Sequence, residues 1–275
     1  MGPDIKPRPV AEDPHGAEFT THYLDPKTTR AVFQLPCGLV RDGQVLRDAH
    51  IREMTGVEEE LLAGKGPVAD RLNRVMANCL VEISGLKGSL QLVMELPMID
   101  RLFLLIAVRR VSLGDRYSMR AKCPHDGCGA EHDYAINLGT LALSEMADPL
   151  QREFVDVLPS GTPFRWHVMT GKDEAWVGAA TKKLKGEGPL TIGLLCRLDE
   201  LNGSPLEKDP VKMREAIATV GKLSFRDRNY LRNTFKKHEG DIDTDLEFTC
   251  QTCADDFKSE LAVAAKDFFF PSEER

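Results

Sequence analysis

The sequence predicts an α+β fold: helical regions around a small β-module made of two cysteine knuckles distant in sequence, with a β-hairpin near the N-terminus. Three observations carry this. Four of the seven cysteines form two close pairs, Cys123/Cys128 and Cys250/Cys253, each lying between strand-like segments. Apolar residues recur at helical spacing over 67–86, 96–115 and much of 173–238. Early in the chain, apolar residues alternate on both sides of Asp42-Gly43, a dipeptide favoured in two-residue hairpin turns with positive φ.

Residues 1–30 are rich in proline and polar groups and read as an extended arm. Residues 31–116 form the hairpin and a helical region. Its first helix opens at Pro67 and repeats apolar residues at Leu72, Val75, Met76, Cys79, Leu80 and Ile83. Its second, over 96–115, is apolar nearly all round, which predicts burial on every side, and stops near Gly114. The first knuckle occupies 117–139. A hairpin and helical insertion follows over 140–244, with a turn at Pro159-Ser160-Gly161 and four helices between Asp173 and His238. Gly186, Gly203 and Gly240 stand where those helices should stop, and Ser224 with Asp227 approximates a capping box. The second knuckle and an aromatic tail complete the chain over 245–275.

Composition narrows the function classes. With 42% hydrophobic and 29% charged residues, the chain has the make-up of a soluble globular protein. A net charge of −7 argues against general nucleic-acid binding, which relies on clustered Lys and Arg. The longest apolar run, Leu102–Val108, is far short of the ~20 residues a membrane span needs. The opening residues have no apolar stretch, so no secretory signal is expected and a cytoplasmic setting is. No phosphate loop, dinucleotide fingerprint or hydrolase motif is present.

In such a setting, paired cysteines point to metal rather than disulfides. The stretches "MRAKCPHDGCGAEHDYAINL" and "LEFTCQTCADDFKSELAV" share one pattern: a strand, a cysteine, a tight turn, a second cysteine, a small residue (Gly129 or Ala254), and a strand. Two such knuckles face to face make a tetrahedral thiolate cage, the zinc-ribbon arrangement. Cys123, Cys128, Cys250 and Cys253 are therefore the expected ligands of one structural Zn²⁺. A site closed by four thiolates leaves no position for substrate or water, so no enzymatic role is expected. His125 and His132 are the spare donors nearby and are expected to be solvated. Cys37, Cys79 and Cys196 stand alone in apolar settings and read as buried, inert thiols.

Two features face outward in this reading. Arg226, Arg228, Arg232, Lys236 and Lys237 cluster on the last predicted helix and read as a solvated face. Phe268, Phe269 and Phe270 are costly to leave in water, at ~1.5–3 kcal/mol each, so they either pack on the chain's own core or dock on a partner. They are the expected partner-binding residues.

The order of these elements resembles the zinc-knuckle baseplate proteins of contractile-tailed, T-even-like bacteriophages and related contractile injection systems. The residues that carry the resemblance are "FQLPCGLVRDGQVLRDAHIREMTGVEEELL", the apolar helix "LPMIDRLFLLIAVRRVSLGD" running into "YSMRAKCPHDGCGAEHDYAINL", and "FTCQTCADDFKSEL" with "FFFP" at the end. C-x₄-C replaces C-x₂-C at the first knuckle, which loosens that loop without removing a ligand. The resemblance implies a structural role in baseplate assembly. Its partners would be other baseplate, hub or tail proteins, and its location the cytoplasm during assembly and then the particle. The alternative is a zinc-ribbon module for nucleic acid or the transcription machinery, which requires a basic surface around the knuckles.

Overall fold

The computed structural model describes residues 21–25, 30–185, 188–209, 212–263 and 266–270. The predicted arm lies mostly outside these residues. Within it, Thr21–Asp25 forms strand β1, so this part is sheet rather than free chain. β2 (Arg30–Arg41) and β3 (Gln44–Arg52) form the expected hairpin around Asp42-Gly43. Helices α1 (Gly56–Ala63) and α2 (Val68–Cys79) follow, then strands β4 (Leu80–Ile83) and β5 (Leu86–Lys87). The five strands make one antiparallel meander in chain order.

The helix expected over 67–86 is therefore too long. It ends at Cys79, and Leu80–Ile83 turns into a strand paired to β3. The reason is the Ser84-Gly85 turn, with φ of 46° and 87°, which returns the chain as β5. Asp42-Gly43 (50° and 73°) uses the same two-residue geometry. So does Asn202-Gly203 (52° and 73°), where the sequence reading has a helix stop.

Short α3 (Leu90–Glu95) leads into α4 (Met98–Leu113), the central helix. Its apolar run is buried on all sides as predicted, against β2, β3, α2 and the chain's end. Four charged residues in it are buried. Arg110 pairs with Asp115 just past the helix, and the other three each fasten a different segment. Asp100 accepts backbone N–H bonds of 2.7 Å from both Cys37 and Gly38, pinning an irregularity in β2. Arg101 donates to Asn73 on α2 and pairs with Glu174 of a later helix. Arg109 donates to the Gly114 and Phe268 carbonyls, both at 2.9 Å, and lies over the Tyr117 and Phe268 rings.

After α4 come β6 (Arg116–Lys122) and β7 (Glu131–Asn137), the first knuckle's strands, and β8 (Leu143–Ser144). The chain then builds a second core from β9 (Glu153–Val157), β10 (Pro163–His167), α5 (Gly171–Lys183), α6 (Pro189–Leu195), β11 (Leu198–Leu201), β12 (Ser204–Pro205), α7 (Arg214–Gly221) and α8 (Phe225–Glu239). The four strands form a sheet in the order β12-β11-β10-β9. Their inner face stacks Trp166 on Phe154 (4.4 Å) and against Phe235 of α8. Here too a predicted helix is shorter than expected: Leu198–Leu201 is strand, closed by the Asn202-Gly203 turn. Ser224 caps α8 through Asp227 as read.

β13 (Asp241–Ile242) pairs with β8, so entry to and exit from the second core lie side by side. The chain then rejoins the first core through β14 (Asp245–Thr249), β15 (Asp256–Glu260) and the short α9 (Lys266–Phe269). Phe268 and Phe269 are buried there and Phe270 is half-buried against the same core. Of the two fates read from the sequence, packing on the chain's own core and docking on a partner, these positions show the first. Arg109 draws the Phe268 backbone inward, and Tyr117 receives its ring edge-on at 5.3 Å.

Between the sheet and α5, His167 bonds Asp199 (2.8 Å) and Asp173 (3.2 Å), with Lys208 on the far side of Asp199. Burial lowers the affinity of this ring for a proton, but the bonds to Asp173 and Asp199 outweigh it and raise the pKa to about 9.

Two predictions follow from the packing. Phe268→Ala should cost ~3–5 kcal/mol in urea unfolding, where a docking residue would leave stability unchanged. The raised His167 pKa means its contribution is fully present below the unfolded value of about 6.5 and is lost as pH rises through about 9. That loss, at most ~3 kcal/mol, should vanish in His167→Gln when unfolding is followed from pH 6 to about 10.

Candidate metal centre

Each knuckle is a two-stranded antiparallel hairpin, β6–β7 and β14–β15. The two turns repeat one backbone design. Cys123 donates its N–H to the Ala130 carbonyl and Cys250 to that of Asp255, both at 2.9 Å. Each accepting residue lies two positions after its knuckle's second cysteine. Gly129 (φ 59°) and Ala254 (φ 63°) then take the same left-handed conformation, which turns the chain into the outgoing strand. The small residues at corresponding positions of the two knuckle sequences thus share one conformation.

Facing hairpins bring all four sulfurs within 4.8 Å of one another. Cys123 Sγ lies 3.7 Å from Cys253 Sγ, and Cys128 Sγ lies 3.7 Å from Cys250 Sγ. The first cysteine of each knuckle thus meets the second of the other, as a local twofold relation between the hairpins requires. Four sulfurs at ~2.3 Å from a tetrahedral Zn²⁺ would stand about 3.8 Å apart, so the donor set fits such an ion with small inward shifts. Cys123 and Cys250 are buried and Cys128 and Cys253 half-buried.

The thiols' chemistry agrees. Backbone N–H groups of Cys253 and Thr252 point at Cys250 Sγ and lower its pKa to about 6. Cys253 receives a backbone N–H bond from Asp255 that lowers its pKa, yet burial and the adjacent thiols push it to about 12. Bare thiols this close resist ionising together; a divalent cation removes that conflict. Cys37, Cys79 and Cys196 lie apart and buried, and burial raises each pKa, to about 12, 12 and 11. They are the inert thiols expected.

His125 and His132 stay out of the sulfur cluster but are more than solvated side chains. His125 Nε2 lies 3.1 Å from the Asp256 carbonyl, and His132 Nε2 lies 2.9 Å from Thr252 Oγ1. Both bonds cross from the first knuckle to the second. Beneath the sulfurs, Tyr134 packs on Phe248 (4.5 Å) and Phe257 (6.0 Å), and its hydroxyl donates to the Thr249 carbonyl. Sequence reading missed this aromatic layer. Its signal was an aromatic residue in each knuckle strand, of which those of β7, β14 and β15 form this layer while Tyr117 of β6 packs on Phe268.

Residues 40–157 match the family model described as T4 bacteriophage base plate protein. This stretch is similar to that family. The resemblance read from the sequence is borne out over it, from the end of β2 through the first knuckle to the end of β9. The matched region includes Cys123 and Cys128 and stops well before Cys250 and Cys253. No curated protein and no solved structure matched the chain. Among the described residues, no helix is long and apolar enough to cross a membrane.

The paired turns make a reciprocal prediction. Ala254→Gly removes a side chain from a left-handed position and should stabilise the metal-loaded protein by ~0.5–1 kcal/mol; Gly129→Ala should destabilise it by ~1 kcal/mol. The nearest atom to a Cβ at Gly129 is Lys122 Cε at 3.8 Å, so the cost is conformational rather than steric. Denaturant midpoints moving the same way for both variants would contradict the equivalence of the turns.

Proposed function

We propose that the chain is a non-catalytic structural component of a contractile-tail baseplate, belonging to a phage or a phage-tail-like injection system, braced by one Zn²⁺ on Cys123, Cys128, Cys250 and Cys253. The family match over 40–157 supports the baseplate role and its implied tail-protein partners. The observation that carries the zinc reading is the convergence of four sulfurs from two matched hairpins, with two 3.7 Å separations across them. Zinc would supply no reaction in such a site; it would hold β14–β15, and through them α9, on the first core.

The surroundings favour this over a nucleic-acid module. Asp126, Glu131, Asp255 and Asp256 are exposed around the knuckles, the wrong sign for phosphate. The basic helix α8 is partly committed internally, with Arg228 bonded to Thr191 and Val220 and Lys236 paired with Asp241.

Elemental analysis of the purified chain should find about one zinc per molecule. Cys253→Ser should lose most of it and cost more than about 4 kcal/mol of stability, in the range for a lost structural metal. An intact fold holding no metal would end the zinc reading. Separately, deleting the gene should leave its particle system without completed baseplates in electron micrographs. Normal contractile tails in its absence would end the baseplate reading.

A further inference from the structure

Among the described residues, strand β9 lies at the edge of the second core's sheet, next to β10 alone. The register fixes which backbone groups face outward. Leu158 donates to the Thr162 carbonyl and Val168 to that of Arg152, both at 2.9 Å, bracketing the β9–β10 ladder. Hydrogen-bonded pairs in an antiparallel ladder alternate, so Phe154 and Asp156 direct their N–H and C=O groups to β10. Glu153, Val155 and Val157 direct theirs to the open edge.

The side chains at that edge are unusual for a free strand. Val155 is 78% exposed and Val157 51% exposed, on the sheet face opposite α8. Exposed edges are commonly blunted by charged side chains, proline or a bulge. Glu153–Val157 has no lysine, proline or bulge, and its register to β10 is unbroken. Of its two acids, Asp156 is bonded by Tyr230 of α8, leaving Glu153 as the outward charge.

We propose that β9 pairs antiparallel with β9 of a second copy of this chain, joining two four-stranded sheets into one across a twofold axis. Self-complementarity selects this occupant. In the register that sets Val155 against Val155, all three outward-facing residues find partners, and Glu153 of each copy stands opposite Val157 of the other. No like charges face each other. The two Val155 residues exchange both backbone bonds, and Glu153 and Val157 do the same across copies, the Val157 N–H leaving the Asp156 carboxylate it now bonds at 2.7 Å. The inner-face neighbours become Phe154 and Asp156. Pro163, exposed beside Val157, would extend the shared apolar patch with its counterpart. The interface is isologous and closes at two copies. It uses neither the metal centre nor the family match.

Light scattering on the full chain should give about twice the monomer mass. Val155→Lys should return it to monomer, whereas Leu190→Lys, at a position 74% exposed on another element, should leave the dimer intact. A register test accompanies it. Opposed Val155 positions would be about 5.5 Å apart at Cα, within disulfide range, whereas the two Val157 positions would be ~13 Å apart. With diamide as the two-electron oxidant, Val155→Cys should cross-link into dimers on non-reducing gels and Val157→Cys should not, above the wild-type background. A monomeric wild type, a dimer that survives Val155→Lys, or equal cross-linking by both cysteine variants would each overturn the proposal.

Discussion

Everything distinctive in this chain depends on two hairpins meeting face to face, more than a hundred residues apart in sequence. Cys123 and Cys253 are 130 positions apart and their sulfurs 3.7 Å apart. Closing a loop of that length is entropically unfavourable and must be offset by local interactions. The hairpins provide them at three levels: sulfurs at the tip, histidine bonds to the opposite knuckle beside them, and the Tyr134–Phe248–Phe257 layer beneath. Because β13 pairs with β8, the chain enters and leaves the second core at adjacent points, which shortens the effective loop between the knuckles.

Helix α4 is the other half of this arrangement. It is buried on every side, yet its buried charges are what connect separate segments. Asp100 holds β2, Arg101 reaches α2 and α5, and Arg109 holds the aromatic end of the chain through the Phe268 carbonyl. Burying a guanidinium is unfavourable unless its donors are satisfied. Arg109 meets that requirement with main-chain carbonyls and aromatic faces. The chain's end is therefore fastened twice, through the knuckle and through Arg109.

The convergence of the four cysteines was legible in the sequence because both knuckles write the same local grammar, down to the small residue that adopts positive φ. The helices were legible where periodicity and caps agreed, as at Met98–Leu113 and Ser224–Glu239. Sequence reading failed where apolar helical spacing ran on into a strand. Leu80–Ile83 and Leu198–Leu201 each continue the preceding helix's apolar pattern, and only the turns after them, Ser84-Gly85 and Asn202-Gly203, reveal the change. Asn-Gly is a strong hairpin signal, and it was outweighed by helical context. The fate of the phenylalanines was not legible, since nothing local says that a buried arginine on a distant helix will capture the Phe268 carbonyl.

The most direct test of the central claim is X-ray absorption at the zinc edge of the purified, full-length protein. Four sulfur scatterers at ~2.3 Å with no nitrogen or oxygen neighbour are expected. A first shell containing nitrogen or oxygen, or fewer than four sulfurs, would contradict a closed clamp made by Cys123, Cys128, Cys250 and Cys253.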